Sequence, residues 1–240
     1  MSPLPILIPA AIVGAAISGA IGMGGGVMLL AVMATVLEPA VVVPIHGVVQ
    51  FTSNGTRVLA LLRNVSWSIV AMYFPAMVLG TWIGLQLYRG ADLPWFKPGI
   101  GLFVASFLLW DRFKPRRLQL PRWMFVPAGL GGGLLTITLG AAGPYLAAFF
   151  LRDDLERREI VATKAAIQTF GHLLKIPAFL SIGFRYQDHV WTMVPLLSGV
   201  ILGTFVGTSL LHRMREDVFR LGFRAVLWIL AVRLIASPWV

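Results

Sequence analysis

His46, Gln50, Asn54 and Arg57 follow one another at steps of four, four and three residues, so on an α-helix they form a single polar stripe. Lys164, Gln168, His172 and Lys175 repeat that spacing. Gln50 and Gln168 can donate amide N–H groups to an oxyanion, and Lys164 can supply a cation. Two glycine-bearing segments accompany the stripes, Gly22-Met23-Gly24-Gly25-Gly26 and Gly140-Ala141-Ala142-Gly143-Pro144. Glycine frees the backbone and disfavours helix, while proline suits a first helical turn. Each segment therefore predicts an unwound tip followed by a helix start, at Val27 and at Pro144. A helix start presents free N–H groups and about half a positive charge, so two facing starts make an anion cradle.

The candidate substrate-binding set is Gly22, Gly24, Gly25, Gly26, His46, Gln50, Asn54, Gly140, Gly143, Pro144, Lys164, Gln168 and His172. Structural roles compete for the same residues. Glycines permit close helix packing, and glutamines hydrogen-bond between helices without any ligand. His46 and His172 suit packing or gating more than ligation. Arg57, Arg63 and Lys175 read as cations that snorkel to a membrane interface.

The elements that must hold these residues are apolar. The chain has 240 residues, 58% of them hydrophobic and 12% charged, with mean hydropathy +0.82. Soluble domains carry about 25% charged residues, so an ordinary soluble globule is excluded. Apolar runs fall near 5–37, 40–62, 66–88, 97–110, 123–151, 160–182, 190–211 and 218–236. A helix needs about 20 apolar residues to cross a bilayer. No stretch is left for a soluble sensor or ATPase module. The N-terminus lacks a positively charged leader, so no cleaved signal peptide is expected. Trp67, Trp95, Trp123, Trp191 and Trp239 sit near segment ends, as interface anchors do.

The chain repeats itself. A shift of 118 residues carries Ile21-Gly22 onto Leu139-Gly140, Gly25 onto Gly143, and the first polar stripe onto the second. A shift of 123 aligns Leu79-Gly80-Thr81-Trp82-Ile83-Gly84 with Leu202-Gly203-Thr204-Phe205-Val206-Gly207. If all eight runs cross fully, the cations divide evenly between the two sides. If the two glycine-cut runs enter and return on one side, fifteen of the twenty Lys and Arg residues collect together, as the positive-inside rule requires. Each half then crosses three times and the halves are inverted, with both termini outside. The expected fold is an all-α polytopic membrane protein of two inverted repeats. Each is a glycine-broken (re-entrant or interrupted) helical segment followed by three transmembrane helices. Residues 1–112 form the first repeat, 113–122 a basic cytoplasmic linker, and 123–240 the second repeat. Inverted repeats with broken helices are a transporter pattern, with the binding site at the midplane.

Several functions are excluded. The net charge of +10 lies in short loops, where lipid headgroups and orientation account for it, so no nucleic-acid partner is expected. All ten acids fall in loops or at segment ends, which disfavours a metal or proton–cation transporter. With no cysteine and no His-x-x-Glu ligand pair, no catalytic residue, metal site or cofactor is expected, and the protein is not read as an enzyme. If protons are coupled, His46 or His172 is the titrating group.

The glycine-rich first tip and the polar stripe containing Gln50, with the two-half layout and the length, resemble the TauE/SafE sulfite exporter family, also called the toluene sulfonate uptake permeases. The resemblance spans essentially the whole chain. It implies transport of sulfur-containing or organic anions such as sulfite, sulfonates, sulfoacetate or thiosulfate. The combined expectation is an exporter of a small oxyanion such as sulfite or an organosulfonate, multi-pass in the inner (plasma) membrane, by alternating access around a midplane site. An anion channel of the same architecture, or a permease for a non-sulfur organic anion, is the alternative. Its partners are a small anionic substrate and the lipid bilayer, and the reading admits a homodimer.

Overall fold

The computed structural model describes residues 2–22, 24–89, 96–113, 115, 119–210 and 216–237. The linker cations Lys114, Arg116 and Arg117, the tip residue Met23, the anchors Trp95 and Trp239, and Asp92, Arg213 and Arg215 lie outside the described residues. Among the described residues the secondary structure is helical, with no strand. The first half runs through α1 (Leu4–Ile21), α2 (Gly25–Val36), α3 (Pro39–Ala60), α4 (Trp67–Arg89) and α5 (Phe96–Phe113). The second runs through α6 (Phe125–Thr138), α7 (Gly143–Phe149), α8 (Arg157–Ser181), α9 (Val190–Leu210) and α10 (Glu216–Ala236).

Both glycine-cut runs are broken helices. Helix α1 stops because Gly22 turns left-handed, at φ 81°, and its amide donates back to Ser18 O at 2.9 Å. Gly24, at φ 96°, then precedes α2. Gly140, at φ 88°, plays the same part after α6. An L side chain resists this region, so these are the positions where glycine is required. The new helices begin at Gly25 and Gly143, one or two residues before the expected starts at Val27 and Pro144. First-turn amides have no intrahelical partner anyway, so glycine there costs less than it does in mid-helix. Helix α8 starts from a capping box, with the Glu156 amide donating to Glu159 Oε2 at 2.8 Å, which satisfies an otherwise orphaned donor.

The duplicated glycine motif has a structural use. Gly80 and Gly84 of α4 rest on the carbonyls of Leu130 and Leu134 in α6; Gly203 and Gly207 of α9 rest on those of Ile12 and Ala16 in α1. A Cβ at any of the four would crowd the neighbouring backbone, which is the small-residue packing of close helix pairs. Helix α1 therefore packs mainly on α9, α6 on α4, α3 on α8, and α5 on α10. Exchanging the halves carries each of these pairs onto a member of the same set. The halves differ at their second arms: α2 packs on α5 and α10 as well as α1 and α3, whereas the shorter α7 has α6 and α8 as its principal neighbours.

One end of the bundle gathers the segments that carry Arg63, Arg122, Arg152 and Arg157. There the Ser66 amide donates to Thr163 Oγ1 at 2.9 Å, and Arg152 Nη1 donates to Leu120 O at 2.5 Å. Because Leu120 precedes α6 and Arg152 follows α7, that broken helix leaves and returns at this end. Arg152 and Arg122 both bind Asp154, and the Arg152 guanidinium holds its carboxyl well below the usual carboxylate range.

Outward, Leu79, Trp82, Leu102, Leu202, Phe205 and Ile229 are each more than half exposed, an apolar surface suited to lipid rather than water. Among the described residues, Trp67–Arg89 and Tyr186–Gly207 are long and apolar enough to cross a membrane. Helices α3 and α8 carry the polar stripes and do not meet that measure. Trp67, Trp123 and Trp191 are exposed near helix ends, as anchors are.

Candidate functional site

The two tips and the stripes of α3 and α8 enclose a central cavity of about 20 Å³, space for roughly one water-sized group. Gly22, Gly24 and Gly26 line it from the first tip, Ala141 and Gly143 from the second. Helix α3 contributes His46, Gln50 and Arg57, α8 contributes Gln168 and His172, and Ser18 and Val27 complete the wall. Each glutamine rests on the first turn of its own half's short helix. A Cβ on Gly26 would lie 2.9 Å from Gln50 Oε1, and one on Gly143 would lie 3.6 Å from Gln168 Oε1. At Gly26 glycine is what lets the Gln50 amide approach, whereas at Gly143 a Cβ would make only ordinary contact with Gln168.

His46 joins the tips. Its Nδ1 lies 3.1 Å from Gly140 O and its Nε2 lies 2.9 Å from Gly26 O, and the protonated nitrogen donates to the carbonyl it faces. The His172 ring stands edge-on to it, with centroids 5.6 Å apart.

Five residues of the expected set do not line the cavity. Gly25 packs on Gly14 and Ser18 of α1. Asn54 is a brace: its Nδ2 donates to Gln50 O at 2.9 Å, and its Oδ1 accepts from Arg57 Nη1 at 3.0 Å. Gly140 offers its carbonyl to Lys175 Nζ, at 2.5 Å, and to His46. Pro144 lines an apolar groove of about 370 Å³ with Phe103, Trp110 and Tyr145. Lys164 lines a separate pocket.

Two cations overturn the snorkelling expectation. Arg57 is 3% exposed and Lys175 is 0% exposed; only Arg63 of that trio lies at the surface. Because α3 packs along α8, the stems turn into the interface, and Gly47 makes room for the Lys175 chain, whose Cδ would lie 2.9 Å from a Cβ there. Beyond its bond to Asn54, Arg57 keeps Nε and Nη2 buried without partners, as does His172 Nδ1. Among the described residues, no carboxylate lines the cavity. The signal for burial was available: Arg57 and Lys175 coincide under the 118-residue shift and continue the two stripes.

A fixed guanidinium, two amide donors and two short-helix starts around one small space can hold an anion through N–H groups. Searches of curated proteins and of solved structures return no match. The sulfite exporter TauE/SafE family model matches residues 7–234, and the chain belongs to that family of membrane transporters.

Proposed function

We propose that this protein is a secondary transporter, an exporter, of a small sulfur-containing oxyanion such as sulfite or an organosulfonate. It works by alternating access in the inner (plasma) membrane. The observation that carries this reading is the Arg57 guanidinium, buried in the wall of the central cavity with two nitrogens unpartnered and no carboxylate beside it. A buried unpaired charge is costly, and a bound oxyanion would answer it. Gln50 and Gln168 would donate to the same anion. The exchange symmetry of the helix pairs, and the return of α6–α7 to the cation-rich end, support two inverted repeats rocking about the cavity. With space for about one water-sized group, the cavity would have to widen to admit the oxyanion, as a carrier does between its states and an open channel does not.

The test is a thermal-shift titration of purified protein with sulfite, thiosulfate, sulfate, sulfoacetate, taurine and an aromatic sulfonate, with chloride as control. A ligand at 100 times its Kd stabilises the fold by about 2.7 kcal/mol. The expected outcome is a selective shift that Gln50→Ala and Gln168→Ala abolish without unfolding the protein. Unchanged affinity in both variants would sink the site assignment.

A further inference from the structure

His46 faces two acceptors at once, with Nδ1 3.1 Å from Gly140 O and Nε2 2.9 Å from Gly26 O. A carbonyl oxygen carries no hydrogen and can only accept, whereas a neutral imidazole has one N–H and one bare nitrogen. In the neutral ring, one of the two contacts therefore sets a lone pair against a lone pair. The imidazolium, with an N–H on each nitrogen, is the form that satisfies both. The two carbonyls belong to the tips of opposite halves, so the charge state of one ring decides whether it ties one tip or both.

The surroundings of the ring decide when it can carry that charge. On α8, Lys175 Nζ donates to the same Gly140 O, and the His172 ring stands edge-on to His46. On α3 itself, Arg57 shares the cavity wall with His46, while Glu38, just before the helix, is exposed. Helices α2 and α9, which also pack on α3, carry no titratable side chain. In the turn Tyr186–His189, which touches α3 as well, Tyr186 and His189 pack on Phe184 and Asp188 pairs with Arg185. Among the described residues, His46 thus shares its site with cations and no carboxylate. A further buried positive charge is costly there, and an oxyanion in the cavity would offset it. Histidine is also the side chain that exchanges a proton near neutral pH. We propose that His46 is a proton-binding site: its ring takes one proton from water as the oxyanion enters, and the imidazolium ties both tips around the anion. When the anion leaves, the proton returns to water and one tip is released. Proton and anion are bound and released together, a coupling that rests on the central-cavity reading for its anion.

Calorimetry counts the proton. The purified full chain is titrated with sulfite, thiosulfate, sulfate and an aromatic sulfonate, each in buffers of different ionisation enthalpy. Wild-type protein should take up close to one proton per anion bound, and its affinity should fall about tenfold per pH unit where uptake is complete. Thiosulfate, sulfate and sulfonates hold no proton near neutral pH, and comparison with His46→Gln subtracts any that sulfite carries. His46→Gln cannot titrate and should bind without uptake, with a flat pH profile, whereas His172→Gln should keep the uptake. A merely structural His46 would change affinity and leave the proton count alone. Wild-type binding without proton uptake overturns the coupling and leaves the central reading standing. Uptake that survives in folded His46→Gln also overturns it, by placing the proton elsewhere. If His46→Gln does not fold, the wild-type count and its retention in His172→Gln decide, and loss of either overturns the proposal. Binding of none of the four anions overturns the central reading, and the coupling with it.

Discussion

Arg57 and Lys175 occupy the same register in the two halves, and the fold employs them differently. Lys175 gives its Nζ to the Gly140 carbonyl and holds the second tip. Arg57 gives only Nη1 to Asn54 and leaves Nε and Nη2 in the wall of the cavity. Two buried cations related by the 118-residue shift are thus used differently: one is a structural strut and the other keeps two nitrogens without a partner. A framework can stay symmetric while its charged groups diverge, because packing constrains every helix contact but a charge needs only one partner.

The comparison is easiest to break at Arg57. Arg57→Gln should weaken anion binding about 10- to 100-fold, since a hydrogen bond to a charged group is worth about 1.5–3 kcal/mol. The empty protein should stay folded, because a buried unpaired charge has been removed. Isothermal titration beside a thermal melt checks both, and wild-type affinity in this variant would end the contrast. Lys175→Met should show the reverse balance. Leaving Gly140 O to His46 alone should lower stability by about 1–3 kcal/mol, with a smaller loss of affinity. Exchanging the two residues sharpens the point: Arg57→Lys with Lys175→Arg should bind anion no better than Arg57→Lys alone, because lysine lacks the planar fork.

Symmetry itself is tested by Gly80→Leu and Gly203→Leu. Both should destabilise by about 1–3 kcal/mol through overpacking, by similar amounts, and both should spare anion affinity in the folded fraction. A large difference between them would mean that the two glycine interfaces are not equivalent. The smallest effect is expected at the loops, where Asp154 has no charged counterpart in the comparison. Its carboxyl is held low by Arg152 and Arg122, so its contribution is present at neutral pH and is lost as the pH falls through that lowered value. Asp154→Asn should cost about 0.2–1 kcal/mol above roughly pH 4, as exposed ion pairs do. The difference should vanish in stronger acid, as a pH series of thermal melts would show.

Much of this was legible in the sequence. Glycine at 22, 24 and 140 announced the breaks, since few other residues tolerate positive φ. The four-residue rhythm of polar side chains marked the faces of α3 and α8 that meet the tips. Hydropathy could not say how those faces are enclosed. It placed Arg57 and Lys175 near segment ends and therefore in the headgroups, because the packing of α3 along α8 is a tertiary fact with no local signature. Lys164 was misplaced for a related reason. The 118-residue shift sets it on His46, which reaches the cavity, yet Lys164 lines a pocket that shares only Gly22 with that cavity.

The pairing of α1 with α9 also bears on synthesis. Helix α1 ends at Ile21 and its main partner begins at Val190, so α1 leaves the ribosome long before that neighbour is made. At about 5–20 residues per second, α1 waits roughly ten to thirty seconds in the translocon or the surrounding lipid before α9 arrives. Its backbone tolerates the delay because the Ile12 and Ala16 carbonyls that α9 will cover are bonded within their own helix. The break at Gly22 must likewise form, or wait to form, before the segments that enclose it exist.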